Sequence, residues 1–242
     1  MAGQALLTSK GEQTRTKILR AAQQVIAENG VGGVSHRAIA AQAGVKLSLT
    51  SYYFGSLAEL LEAAWDDHRA RSAPQSVAML RRMTEIFQEL LTTDNERTRA
   101  RHVLALADHL ASYIAREARD RQLDLAIDCS FLFAWSLPVS LRQKVIAHNR
   151  LWISRIAVQL RRAGCVHPEV DAENWLAVAR HCEFSQVTYG RKVLSEAEMR
   201  QRFFCLLHGI LPNVGKRPNR LHHAVRRSAA KRNQKCPQNG HL

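Results

Sequence analysis

Glycine and proline are scarce, 12 and 6 in 242 residues, which argues against a turn-rich β architecture and against a low-complexity chain. Alanine, leucine, arginine and glutamine are common instead, a mixture that favours helix. The five cysteines (Cys129, Cys165, Cys182, Cys205 and Cys236) are odd in number, far apart and form no CxxC pair. That indicates neither a disulfide framework nor a zinc ribbon and favours buried or bystander thiols. No apolar run reaches the ~18 residues of a membrane span. Met1 to Lys10 has no apolar core of signal-peptide length, so the expectation is a soluble cytoplasmic protein that meets no membrane. Catalytic signatures are missing too: there is no G-x-S-x-G, HExxH, phosphate loop or dinucleotide fingerprint, so the chain does not read as an enzyme. His102 and His109 share a helix face, and His181 adjoins Cys182, but none has metal-ligand spacing; no metal and no cofactor is expected. The dense polar run Asp66-Asp67-His68 reads as a solvated helix end.

What is present is a core and an uneven charge. Hydrophobic residues make up 46% of the chain, enough for one large domain or two smaller ones. The net charge is +14 and sits at the ends. Residues 1–57 hold six Lys/Arg against two acids, residues 213–242 hold eight against none, and the body between holds 21 against 19. Such ends suit a polyanion partner, although they could equally serve solubility.

The N-terminal unit carries the sharpest pattern. Ile18, Leu19, Ala22, Val25 and Ile26 form one stripe of a helix over residues 12–29, stopped by Asn29-Gly30. Ser35 then suits the N-cap of a short helix, Ser35 to Gln42. Gly44 follows where a positive φ is cheap, Val45 anchors the turn, and a second short helix runs from Lys46 to Tyr53. Two short helices joined by a glycine-containing turn make a helix-turn-helix, whose second helix enters the major groove.

Ser35, Arg37, Ile39, Ala40, Ala43, Gly44 and Val45, followed by Tyr52, Phe54, Ser56, Leu60 and Leu61, resemble the DNA-binding domain of the TetR family of bacterial regulators. The resemblance covers residues 12–65. Three positions depart from it: Ser51 stands where the family often has a phosphate-touching tyrosine, Leu57 where it often has a lysine, and Thr50 where an aliphatic residue is usual. The basic arm Lys10, Arg15 and Lys17 is a candidate substitute for the lost contacts. Expected DNA contacts are Tyr52 and then Tyr53 on phosphate, Ser35 with its helix start on another phosphate, and Arg37 at phosphate or base. Lys46 and Ser48 are the expected base readers, with Leu47 or Thr50 against a thymine methyl; the Thr50 methyl could instead serve packing. Phe54 and Ile39 are assigned to the core.

From Ser56 onward the pattern is helical: a fourth helix from Ser56 that ends before Pro74, then helices at about 75–92, 96–118, 120–136, 139–163, 171–190 and 195–211. The expected fold is all-α, with a helix-turn-helix domain over 1–55, a helical ligand-binding and dimerisation domain over 56–212, and a basic, disordered tail over 213–242. Segments 171–190 and 195–211 carry apolar side chains on more than one face. This fits a homodimer interface, which the resemblance also implies as a four-helix bundle; a thicker monomer core is the alternative. The aromatic stretch 127–135 points to a pocket, with His109, Tyr113, Asp128, Phe131, Trp135 and Trp152 as candidates to line it. Each could also be core, and Asp128 could be solvated. The expectation is therefore a dimeric repressor on a near-palindromic operator in double-stranded DNA, released by a small molecule. A regulator without such a ligand is the main alternative, and an enzyme built on the helical domain a remote one.

Overall fold

A computed structural model describes residues 9–190 and 193–211. Residues 1–8 and the basic segment 213–242 lie outside the described residues. Every regular element among the described residues is helical: α1 (Ser9–Asn29), α2 (His36–Ala43), α3 (Leu47–Phe54), α4 (Leu57–Leu91), α5 (Glu96–Asp120), α6 (Gln122–Leu132), α7 (Val139–Arg162), α8 (Pro168–Thr188) and α9 (Glu196–Ile210), with a 3-10 turn at Val31–Gly33. Local chemistry starts these helices where the sequence indicates. Ser56, Asn95 and Ser195 cap α4, α5 and α9 by accepting from the backbone three residues on, and Pro168 occupies the first turn of α8.

Two hydrophobic clusters organise the chain. The first joins Ile18, Ala22 and Ile26 of α1 to Ile39, Phe54, Leu60 and Trp65, and continues into Ile127 and Phe131 of α6 and Leu141 and Val145 of α7. The second joins Met83, Phe87 and Leu90 of α4 to Leu106, Leu110 and Ile114 of α5, Ile156 and Leu160 of α7, Trp175 of α8, and Phe203 and Leu207 of α9. Helix α4 feeds both.

The sequence places a break before Pro74, but α4 runs through it as one 35-residue helix. An internal proline removes the backbone bond to the carbonyl four residues back and costs about 3 kcal/mol. The apolar residues of α4 are packed in separate clusters on either side, and Ser72 accepts from Arg121 Nη2 at 3.2 Å. These tertiary contacts override the local penalty. A second correction concerns α9. Its Met199, Phe203, Phe204 and Leu207 are buried, chiefly along α5, so segment 195–211 offers no second apolar face. The large apolar side chains left exposed in this part of the molecule lie instead on α7 (Val139, Ile146, Leu151, Val158) and α8 (Val170). Among the described residues, no helix is long and apolar enough to cross a membrane.

Candidate nucleic-acid interface and internal cavity

The turn between α2 and α3 is fixed by backbone chemistry. Ser35 adopts an extended conformation and its hydroxyl accepts from Ala38 N at 3.1 Å. Gly44 sits at φ 59° and ψ 44°. Its N–H and that of Val45 bond back onto the end of α2, Val45 N reaching Ala40 O at 3.0 Å, the six-to-one closure of a glycine C-cap. Ala40 is buried, so α3 packs closely across the end of α2.

This turn leaves one row of side chains facing outward. Ser35, Arg37, Lys46, Leu47, Ser48 and Tyr52 are exposed, Tyr52 by 72%, while Tyr53 is half-buried with its ring edge against Tyr52. Lys10, Lys17 and Arg20 of α1 are also exposed, whereas the Arg15 guanidinium lies over the Phe54 ring at 5.0 Å. Phe54 and Ile39 are core.

Thr50 does not belong to the outward row. Its side chain is fully buried, so it cannot meet a base edge. Its hydroxyl donates to Leu47 O at 2.7 Å, and His36 Nδ1 lies 3.1 Å away. Because the hydroxyl proton is committed to Leu47, the ring N–H of His36 is the donor in that second bond. Thr50 thus ties α3 to the start of α2. His36 drew no notice in the sequence because its partner is fourteen residues away on another helix.

The second feature is a cavity of about 70 Å³ enclosed by α4 to α9. At one end Arg69, Asp128, His148, Arg180 and Glu183 form a polar pole; at the other, Met83, Ile156, Trp175 and Phe203 form an apolar one, with Tyr113 and Trp152 between. Asp128 accepts from Arg69 Nη2 and lies 3.0 Å from His68 Nε2. Arg180 Nη1 donates to Glu183 at 2.6 Å. His148 Nε2 accepts from Arg69 Nη1 at 3.1 Å and Trp152 Nε1 at 3.0 Å. Two donors on one ring nitrogen require a neutral imidazole protonated at Nδ1. Burial and the charges of Arg69 and Arg180 accordingly push His148 down to about 4. Burial opposes the charge on Asp128, but the hydrogen bond from His68 and the charges of Arg69 and His68 hold it at about 2.

Of the residues expected at a pocket, Tyr113, Asp128 and Trp152 line this cavity. Three others do not. Phe131 is buried in the first cluster, T-shaped against Trp65 with ring centroids 5.2 Å apart. Trp135 is 97% exposed on the segment between α6 and α7. His109 lies off the wall with Nε2 on Met79 O at 3.1 Å. An apolar run announces burial but not which cluster receives it. The polar run at Asp66–His68 is likewise not a solvated helix end. His68 is fully buried mid-helix, with Nδ1 3.4 Å from Asp124 and Nε2 3.0 Å from Asp128. Burial lowers its proton affinity, but these two carboxylates outweigh that and raise its pKa. Arg69, His148, Arg180 and Glu183 escaped the sequence reading because charged residues spread over 115 positions carry no local motif.

Among curated proteins none matches this sequence. Residues 18–64 match the family model of bacterial regulatory proteins, tetR family. Among solved structures, NalD, the secondary repressor of the MexAB-OprM multidrug efflux pump in Pseudomonas aeruginosa, aligns over 86% of this chain and 100% of its own, with a TM-score of 0.56 and 15% identity. A TetR family member from Streptomyces coelicolor A3 aligns over 80% of this chain and 98% of its own, at TM-score 0.51 and 22% identity. The multidrug binding protein EbrR, complexed with malachite green, covers 79% of this chain and 96% of its own, at TM-score 0.50 and 21% identity. The likeness to these three is one of fold. Residues 18–64 thus match the tetR family of bacterial regulatory proteins, and the chain as a whole shares the TetR-like all-helical fold of these structures.

Proposed function

We propose that this protein is a ligand-responsive DNA-binding transcriptional regulator, a repressor that leaves its operator when a small molecule enters the cavity between α4 and α9. The observation that carries the reading is the outward row Ser35, Arg37, Lys46, Leu47, Ser48 and Tyr52 on a capped helix-turn-helix. Lys46 and Ser48 open α3, where side chains reach base edges, and Tyr52 with the start of α2 supplies phosphate contacts. In this reading residues 1–55 are the DNA-binding head and residues 56–212 the regulatory part. NalD is a repressor and EbrR a multidrug binding protein, which supports a ligand-controlled repressor on this fold.

The regulator acts as a homodimer through α7 and α8. Val139, Ile146 and Ile153 recur at seven-residue intervals on α7, as do Val170, Ala177 and Phe184 on α8; four of these six are exposed and two half-buried. A sevenfold apolar repeat keeps one face of a helix toward a partner helix. Two such helices from each of two copies close a four-helix bundle and set two recognition helices about 34 Å apart, matching a near-palindrome.

A regulator without a small-molecule ligand is favoured by one observation, the modest cavity of about 70 Å³. Footprinting upstream of the protein's own gene tests the DNA reading. A protected near-palindrome is expected, and no sequence preference at moderate salt would sink it. Thermal shift against metabolite pools separates the two versions, because a ligand that binds the native state raises its melting temperature.

A further inference from the structure

The cavity has a direction. Along α4 its wall runs from Arg69 to Met83, fourteen residues or about 21 Å of helix. Along α7 it runs from His148 through Trp152 to Ile156, and along α8 back from Glu183 and Arg180 to Leu176 and Trp175. All three helices pass from polar to apolar in the same sense. A volume of about 70 Å³ has room for roughly five waters, so the ligand is a small molecule.

Hydrogen-bonding capacity at the polar pole is unbalanced toward donors. One oxygen of each carboxylate is engaged, Asp128 Oδ1 by Arg69 and His68, and Glu183 Oε2 by Arg180. Arg69 and Arg180 together bring ten N–H groups. Arg69 Nε is buried without an acceptor, a cost that an incoming acceptor would remove. His148 offers its only unprotonated nitrogen to Arg69 and Trp152, so it brings the pole no spare acceptor. A carboxylate, acceptor-only and matched to the guanidinium fork, is the group this pole lacks.

Resting on the reading of this cavity as the small-molecule site, we infer that its ligand is a small amphipathic monocarboxylic acid, its carboxylate held by Arg69 and Arg180 and its apolar body lying toward Met83, Trp175 and Phe203. The charges of Asp128 and Glu183 require the ligand to take an existing place, and that place is Asp128's on Arg69. Asp128 keeps His68. The ligand thereby loosens the tie between α6 and α4, next to the DNA-binding head.

Thermal shift and calorimetry on the full-length protein test this with octanoate and phenylacetate, against octylamine and octan-1-ol as probes of the same size. Both carboxylates are expected to raise the melting temperature and to bind at least tenfold more tightly than the amine or the alcohol. Arg69→Gln should weaken the carboxylates about 10- to 100-fold and leave the alcohol unchanged, and Arg69→Lys should restore part of the loss. Ala179→Leu, which fills the middle of the cavity, should abolish binding of every probe. If octylamine binds best and Ala179→Leu abolishes that binding, the cavity stands as a ligand site and the carboxylate class is overturned. If no probe of any charge binds the wild-type protein, both the class and the small-molecule reading of the cavity fall.

Discussion

Arg71 Nη2 of α4 donates to Gln23 Oε1 of α1 at 2.7 Å. Gln23 answers by donating to Ala64 O at 3.1 Å and to Asp67 Oδ2 at 2.8 Å, both on α4. The same Arg71 reaches Asp124 of α6 at 3.3 Å. Asp124 faces His68, and His68 faces Asp128 in the cavity wall. A continuous polar path thus runs from the cavity to α1 of the DNA-binding head, through side chains that α4 contributes in consecutive turns. Whether coupling follows it is testable at its first link.

Gln23→Leu keeps the approximate volume of a buried side chain and removes the hydrogen bonds between α1 and α4. Arg71 and Asp67 each lose a partner. A loss of about 1–3 kcal/mol is expected in urea denaturation, the cost of stranding partly buried polar groups. The same variant should narrow the ratio of DNA affinities with and without ligand, since α1 loses its polar tie to α4. Unchanged stability together with an unchanged ratio would remove the path from the mechanism.

The pH dependence of stability has two opposing histidines. Burial lowers the proton affinity of His68, but the carboxylates of Asp124 and Asp128 beside its two ring nitrogens outweigh it and raise its pKa. Its contribution is full below the unfolded value of about 6.5 and is lost as pH rises through the higher folded value. His148 is held neutral, at about 4; its contribution is present above about 6.5 and is lost as pH falls toward 4. His68→Gln should therefore flatten the decline in stability above pH 6.5 while leaving the acid-side loss in place. Chemical denaturation between pH 4 and pH 9 measures both limbs. An unaltered alkaline limb in His68→Gln would show that Asp124 and Asp128 do not hold the proton.

On the head, positioning and reading are separable. Tyr52→Phe removes one exposed hydroxyl and should weaken all DNA sites alike by about 3- to 10-fold, whereas Lys46→Ala should alter base preference at one position of each half-site. Thr50→Val should do neither directly. It leaves His36 without its acceptor and costs about 1 kcal/mol in stability. Selection from a randomised duplex library distinguishes the three. Identical preference profiles for the Tyr52 and Lys46 variants would collapse the distinction between phosphate and base contact.

The helix-turn-helix was legible in the sequence because its chemistry is local. A serine cap acts over three residues, and a left-handed glycine closes the helix it follows, so Ser35 and Gly44 declare themselves without tertiary information. Pro74 misled for the same reason in reverse. Its penalty is local and readable, while the packing of Trp65 on one side and Phe87 on the other, which outweighs it, depends on helices distant in sequence. The cavity was half legible. Tyr113, Asp128 and Trp152 stood out as polar or aromatic groups among apolar neighbours, but their partners Arg69 and Arg180 resemble any solvated arginine until α4 and α8 are brought together.

The same limit bears on the proposed dimer surface, and the structure supplies its test. Segment 195–211 has abundant phenylalanine and leucine, but α9 spends them inside the monomer. Ala177 of α8 is exposed at the centre of the sevenfold row Val170, Ala177 and Phe184. It also lines a groove with Ile153 of α7 and Phe184. Being small and exposed, it tolerates substitution in the monomer. Ala177→Glu would set two like charges near one another in a desolvated two-fold interface. A stable interface buries on the order of 1,600 Å², and an unpaired charge at its core costs several kcal/mol. The variant should elute as a folded monomer in light-scattering chromatography, with unchanged helical circular dichroism. Its affinity for a full palindrome should fall at least 100-fold, toward that of a single half-site. Gly209→Glu, at a position of α9 that is also exposed, should leave the dimer intact. Dissociation by the Gly209 variant and not by Ala177→Glu would return the interface to α9.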